Sequence, residues 1–459
     1  MDSVLTEYTI PPEIMRVFEA FEREGIHVYL VGGTVREIVR GAADELIDFD
    51  FATPTSAEET ARILRKAGLR PIPLGMQFGT VGTIIENRKV DITTFRRGEE
   101  YKPRSRHPEV DFGGTIEEDL QRRDFCMNAI AMTKSGEVID PYNGLEDIRN
   151  KRITVPGEAE KLFSDDPLRL LRAARFVSQL GYAVVPSLKK TARKMAFLIT
   201  TVSRERWKME MDKLLMGEDV HRGLDYLLDS DLLTFMMPEV TVLKGFNQTD
   251  EYHHKDVWEH TKRALRASVK QIDVRWALLF HDLGKPYTKS IQDGHVHFYH
   301  HEVVGETLAR SIMFRLRFSN EQRKKVSSLI FNHMRPNMYD DDWNDSAVRR
   351  LARDMRGHVF DLINLSRADI TSMRPETVRR GLSRLDKLQA RVENVLVEDA
   401  KQPPLPKGMG NAIMEQFGIG EGPQVGIYMK RLLEAVEEGR LETGREYDYY
   451  LQFLNESER

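Results

Sequence analysis

Residues 28–54 read VYLVGGTVREIVRGAADELIDFDFATP. The opening VYLV is β-branched and aromatic, ends on the pair Gly32-Gly33, and is followed by TVREIVRG with helical spacing. A strand that feeds a glycine turn and then a helix aims backbone N–H groups at one point, an arrangement that receives phosphate. Gly32 and Gly33 permit close approach there, and Arg36 adds positive charge. The next strand-like run, DFDFAT, spaces Asp48 and Asp50 two apart, so both carboxylates project from one face while Phe49 points to the other. Paired oxygen ligands on one face suit divalent ions engaged in phosphoryl transfer. Singly, a glycine pair is a turn and Asp-x-Asp a solvated strand edge; their succession gives the chemical reading. Asp91 in KVDITTF is a candidate third acid if that run lies alongside.

GTVGTII and KVDITTF extend the strand pattern, so the chain to about Asp140 reads as an α/β head. From Pro141 the strand signals fade, and KLFSDDPLRLLRAARFVSQLGY and SRERWKMEMDKLLM carry helical periodicity. Breaks are expected at PYNG (141–144), KGFNQTDEYHH (244–254) and KQPPLPKGMG (401–410). At 459 residues the chain exceeds one hydrophobic core, since such cores stop growing at roughly 250–300 residues. Its 41% hydrophobic and 31% charged content is that of a soluble globular protein. No apolar run approaches the roughly 20 residues needed to span a bilayer. The start, MDSVLTEYTIPPEIM, lacks a basic region before an apolar core, so a cytoplasmic location is expected. A lone cysteine, Cys126, excludes an internal disulfide framework. The net charge of −4 excludes little, because a local basic face still binds a phosphate backbone.

Further along come RRDFCMNAIA (122–131), DPYNG (140–144), DDPLRLLRAARF (165–176) and SRERWKMEMDKLL (203–215). Together with Gly32-Gly33 and Asp48-x-Asp50, and in this order, they resemble the polymerase-β-like nucleotidyltransferases, specifically the class II CCA-adding enzymes and bacterial poly(A) polymerases. The resemblance implies an α+β multidomain chain: a nucleotidyltransferase head at 1–140, a helical neck reading nucleobases at 141–215, a helical body at 216–370, and a helical tail meeting tRNA at 371–459. It implies Mg²⁺ on Asp48 and Asp50, phosphate contacts from Arg122 and Arg123, and ribose contacts from Asp124 and Asn128. Nucleotide contacts would come from Asp166, Arg169, Arg172 and Arg175, with Glu205, Arg206 and Glu210 supporting them.

If Asp166 and Arg169 share one helix, i,i+3 spacing sets an acceptor and a donor side by side. Cytosine and adenine both offer an amine beside a ring-nitrogen acceptor, which such a pair complements. Uracil and guanine reverse that order and leave buried groups unpaired, at roughly 1–3 kcal/mol each. The alternative is a capped helix with an internal ion pair. Asp165 stands where the family usually has Glu.

The stretch RRGEEYKPRSRHPEVDFGGTIEEDLQ (96–121) resembles the flexible loop of CCA- and A-adding enzymes, which CC-only enzymes shorten. GMQFGTVGTII resembles the CCA type rather than the basic run of poly(A) polymerases. The first expectation is therefore addition of CCA to tRNA from CTP and ATP, then A addition to CC-ended tRNA, then poly(A) synthesis. A second set, His260, His281, Asp282, His301, His333 and Asp369, resembles the ordered ligands of an HD-type phosphohydrolase. Imidazole plus carboxylate suits Mn, Co, Ni or Fe as well as Zn, and Lys285 would meet a substrate phosphate. Rival readings are a phosphohydrolase whose head only binds RNA, and a tRNA-binding chaperone. No membrane or protein partner is expected.

Overall fold

Phe49 and Phe51 are each 1% exposed, whereas Asp48 and Asp50, which alternate with them, face outward. Burying each phenyl ring contributes roughly 1.5–3 kcal/mol, which fixes the register of the strand that carries the acids. The computed structural model describes residues 10–42, 48–100, 109–247, 256–293, 295–372, 374–401 and 404–457. The chain divides into two compact units, Met1–Thr241 with Arg315–Arg317, and Val242–Phe314 with Phe318–Arg459.

In the first unit, β1 (Tyr29–Val31), β2 (Asp48–Thr53), β3 (Ile72–Gly75), β4 (Thr80–Ile85) and β5 (Arg88–Thr94) form part of one sheet. A separate two-stranded ladder pairs β6 (Arg96–Glu100) with β7 (Glu109–Phe112), while β8 (Ala131–Met132) and β9 (Val138–Ile139) complete the seven-stranded sheet. Its order is β3-β4-β5-β2-β1-β8-β9. Only β2 and β5 run parallel; the other ladders of this sheet are antiparallel. The runs read as strands from the sequence correspond to β1, β2, β4 and β5. The short β3, β8 and β9 escaped notice because two to four residues carry too little alternation. The expected loop after TTF supplies β6 and β7, with residues 101–108 outside the described residues.

The helical remainder of this unit centres on Leu168–Leu180, packed against Arg204–Leu215 and Val220–Asp229. Ser178 lies at that crossing, its hydroxyl donating to the Leu214 carbonyl at 2.6 Å. A Cβ on Gly217 or Gly223 would come within 2.2 or 2.8 Å of Ser178, so those glycines set the closeness of approach. Two short ladders interrupt the helices: β10 (Arg152–Ile153) with β11 (Ala183–Val184), and in the second unit β12 (Lys289–Gln292) with β13 (His295–Phe298).

The second unit is otherwise helical. Its central helix, Ile272–Phe280, is buried from Val274 to Phe280 and packs against Val257–Ala267, Asn320–Asn332 and Val359–Asp369. The helix beginning at His301 crosses the chain just after Ile272–Phe280 very closely: a Cβ on Gly284 would sit 2.0 Å from the His301 carbonyl oxygen. Only glycine permits this crossing. At the end of the chain, Met409–Phe417, Pro423–Glu437 and Tyr447–Ser457 close on their own core of Ile413, Leu432, Tyr450 and Leu454. Among the described residues no helix is long and apolar enough to cross a membrane.

Candidate functional site

The head centre is built where β1, the glycine turn and β2 meet. Gly32 has φ +67°, and a Cβ there would also lie 2.8 Å from Arg123 Nη1, so both backbone and space demand glycine. Gly33 begins the helix Gly33–Val39, whose Thr34 hydroxyl accepts the Asp50 backbone N–H at 3.0 Å. That bond ties the turn to the acid-bearing strand. The parallel register sets Asp91 directly beside Asp50, as anticipated for a third acid, and Lys89 Nζ donates to Asp91 at 2.5 Å. The Asp50 carboxyl titrates above its ordinary range: enclosure by protein raises it, the Arg123 charge lowers it, and Asp91 and Asp48 raise it further. Crowded carboxylates of this kind favour a bound cation.

Arg122 and Arg123 are braced by Asp119, a residue the sequence reading passed over. Asp119 is 1% exposed and accepts from Arg122 Nη2 at 2.7 Å and Arg123 Nη2 at 3.0 Å. Burial pushes its carboxyl up, and the charges of Arg123 and Arg122 with their hydrogen bonds bring it below the ordinary value. The i,i+3 and i,i+4 spacing in EEDLQRRD was the available signal.

Asp124 is buried, and both its oxygens are engaged within the protein. Oδ1 accepts from the Phe125 N–H at 2.9 Å and Asn128 Nδ2 at 2.8 Å, while Oδ2 accepts from Arg172 Nε at 2.8 Å and also from Arg172 Nη2. Asn128 Oδ1 in turn accepts from Arg36. A sugar would reach Asp124 only by displacing one of these donors. The guanidinium groups of Arg36, Arg172 and Arg175 gather over the buried Phe176 ring, at 5.2, 5.9 and 4.3 Å from its centroid. Burial, with the neighbouring Arg172 charge, lowers Arg175 to about 10 even though Glu210 pairs with it at 3.1 Å. Such a positive cluster in a partly dry setting is suited to an anion.

Asp166 and Arg169 depart from the expected geometry. Asp166 is extended (φ −140°, ψ 96°) and follows the helix Ala159–Asp165, and the next helix starts only at Leu168. The two do not share a helix, because Pro167 disfavours helical backbone at the residue before it. The Asp166 carboxylate accepts from the Leu168 N–H at 3.2 Å and from Arg206 Nη2 at 3.1 Å. Arg169 instead donates to the carbonyls of Leu162 at 3.2 Å and Arg122 at 2.6 Å. Arg206 and Glu210 therefore each hold one member of the DDPLRLLRAAR run.

The second centre brings together all six residues expected for it. His260, His281 and Asp369 form one potential metal-binding group, and Asp282, His301 and His333 another. Asp282 faces both: its Oδ2 lies 3.2 Å from His281 Nε2 and its Oδ1 3.7 Å from His301 Nε2. The Nδ1 atoms of His281, His301 and His333 point at the carbonyls of Leu278, Phe298 and Ile330, at 2.8, 2.8 and 2.7 Å. Each Nδ1 must therefore donate, which turns Nε2 inward. His301 and His333 both titrate below the ordinary value through burial, His333 down to about 4 with the His281 charge adding to it. Neutral rings in this tautomer place two Nε2 lone pairs face to face at 3.2 Å. Asp282 Oδ1 is buried without a hydrogen-bond partner. Burial would lower His281, but Asp282 and Asp369 overcome it and raise it to about 10. The donor set fits a divalent metal, which would satisfy the opposed lone pairs and the orphaned oxygen together. Lys285 Nζ donates to Asp282 at 2.7 Å. Lys285, Arg263 and Asn337 line a cleft of about 320 Å³ that opens on His260 and Asp369.

Both centres fall within segments that match known domains. Residues 28–154 match the poly(A) polymerase head domain, 181–243 the probable RNA and SrmB-binding site of polymerase A, and 251–390 the HD domain. The chain is 31% identical over 436 residues to the CC-adding tRNA nucleotidyltransferase of Thermus thermophilus, covering 92% of each chain. It is 30% identical over 440 residues to the A-adding tRNA nucleotidyltransferase of Deinococcus radiodurans, covering 92% of this chain and 94% of that one. The chain belongs to the tRNA nucleotidyltransferase family. Within that family it is 40% identical over 228 residues to the CCA-adding enzyme of Geobacillus kaustophilus, a match spanning 49% of this chain but only 55% of that relative. The Bacillus stearothermophilus CCA-adding enzyme, solved in complex with CTP, superposes with a TM-score of 0.69 at 27% identity, over 98% of this chain and 99% of that one.

Proposed function

We propose that this tRNA nucleotidyltransferase adds C, C and A to the 3′ end of tRNA from CTP and ATP without a nucleic-acid template. The observation that carries the reading is Asp48 and Asp50 on one outward face of β2, tied through Thr34 to the Gly32-Gly33 turn. Bound to these carboxylates and Asp91, Mg²⁺ ions would supply charge neutralisation for the triphosphate and acidify the attacking hydroxyl. The glycine turn lets the triphosphate approach the backbone, and Arg36, Arg123 and Arg172 offset its charge. The 3′-oxygen forms a bond to the α-phosphorus, the bond to the bridging oxygen breaks, pyrophosphate leaves, and the hydroxyl proton passes to solvent. Most of the acceleration comes from positioning and charge. Asp124 and Asn128 act by holding Arg172 and Arg36, while Asp166, set by Arg206, and Arg169, set by the carbonyls of Leu162 and Arg122, face the base.

Relatives named for CCA, CC and A addition all match this chain, so specificity is decided by assay. Transcripts ending at the discriminator base, at C and at CC are incubated with CTP and ATP, separately and together. With both nucleotides present, completion to a single CCA end is expected on all three. Growth of the CC-ended transcript alone would assign A addition, and the longer match to the Deinococcus enzyme is the reason to include it.

The histidine–aspartate centre supports a second activity, hydrolysis of a phosphoester. The observation behind it is the inward-facing ring nitrogens around Asp282 beside a cleft lined by Lys285. A bound Mn, Co, Ni or Fe ion would supply an activated water there. Phosphoester hydrolysis by the purified protein with added Mn²⁺, Co²⁺ or Ni²⁺, lost in Asp282→Ala, is the expected result.

A further inference from the structure

Four histidines surround Asp282 and Asp369, and three share one orientation device. His281, His301 and His333 each present Nδ1 to the carbonyl three residues earlier. A carbonyl only accepts, so those tautomers are fixed. His260 differs. Its Nδ1 lies 2.7 Å from the hydroxyl of Thr371, a residue 111 positions away and two beyond Asp369.

We infer that Thr371 is a positioning residue that sets the tautomer of His260 and thereby governs metal capture at the outer half of the centre. This rests on reading the cluster as a metal centre. A hydroxyl both donates and accepts. When Thr371 donates, His260 carries its proton on Nε2, facing Asp369 Oδ1 at 2.8 Å, and has no lone pair there for an ion. When Thr371 accepts, Nδ1 keeps the proton and Nε2 offers a lone pair beside His281 Nε2, 3.2 Å away. The hydroxyl thus lets one ring alternate between a state protonated at Nε2 and a metal-ligating state. The fully buried group of Asp282, His301 and His333 has no such freedom, whereas His260 and Asp369 border the solvent-reaching cleft. Exchange of an ion, or entry of a substrate oxygen, belongs on the His260 side.

The test uses the full chain in an Asp48→Ala/Asp50→Ala background, which silences the carboxylates of the head. Co²⁺ binding is followed by calorimetry and by the visible absorption of the nitrogen-ligated ion, for the parent, Thr371→Val, Thr371→Ala and Thr371→Ser, with thermal melts confirming that each is folded. Thr371→Val and Thr371→Ala are expected to weaken Co²⁺ binding by about 10–100-fold, the usual scale for an outer partner of a ligating histidine, and to shift the absorption band. Thr371→Ser is expected to bind as the parent does. Parent-like affinity and spectrum in the variants lacking the hydroxyl would overturn the inference and leave the metal centre standing. So would a serine variant as weak as valine. A parent that binds no Co²⁺ removes the metal reading and the inference with it.

Discussion

Asp124 shows how a residue expected at the substrate is first a keystone. Burial would raise its carboxyl, but the Arg172 charge and the bonds from Asn128 and Arg172 hold it well below the usual carboxylate range. An unfolded aspartate titrates near about 3.9, and the native value is lower, so the pair contributes fully above that pH and its contribution fades as pH falls through the native value. Asp124→Asn should therefore lose about 3 kcal/mol in urea denaturation at pH 7, as when one partner of a buried pair is removed, and converge on the parent in strong acid. Asp48 and Asp50 make the opposite case. Both point outward from β2 and away from its packed face, so Asp48→Ala should cut nucleotide addition by on the order of 10²–10³-fold or more in a single-turnover assay while leaving the melt unchanged. These acids were legible because a strand repeats every two residues. The partner of Asp124 was not, because Arg172 is 48 positions away and no local period links them.

At the scale of elements, a proline decided what spacing alone misread. DDPLR looked like the start of one helix, but Pro167 keeps Asp166 extended, and the carboxylate is then held from a different helix by Arg206. The rule for residues before proline would have shown this from sequence; the partner 40 residues on would not. With its brace removed, Asp166 should swing between positions. Arg206→Gln is expected to raise KM for CTP and ATP by roughly tenfold, the scale of one charge-assisted hydrogen bond, and to admit UTP more readily in competition assays. DPYNG, read from the sequence as a break and as part of the family resemblance, has a packing reason. Asp140 accepts the Gly144 N–H at 2.7 Å and the Leu145 N–H at 2.9 Å, and a Cβ on Gly144 would lie 2.1 Å from the Cys126 carbonyl oxygen. Gly144→Ala should cost about 1–3 kcal/mol in chemical denaturation, because backbone cannot yield as a flexible side chain would.

Across the whole molecule, each centre is complete within one compact unit. The acids, glycines and arginines of the head centre and neck belong to the first unit, and all six residues of the histidine–aspartate cluster belong to the second. The six candidate HD residues stood out because they fall in five short motifs, with His281 and Asp282 adjacent in one, while their grouping around Asp282 depended on the glycine crossing at Gly284 and Gly305. If chemistry follows this division, the two activities should separate cleanly. His281→Ala should abolish Co²⁺- or Mn²⁺-dependent phosphoester hydrolysis while CCA addition with Mg²⁺ continues at the parent rate. Asp50→Asn should do the reverse. Both assays run on the same preparations, so poor folding would appear as a parallel loss rather than a crossed one. A head that only tethered RNA for a phosphohydrolase predicts a different pattern. Asp50→Asn would then leave every measured turnover unchanged, and no pyrophosphate release from CTP or ATP would be detected in the parent.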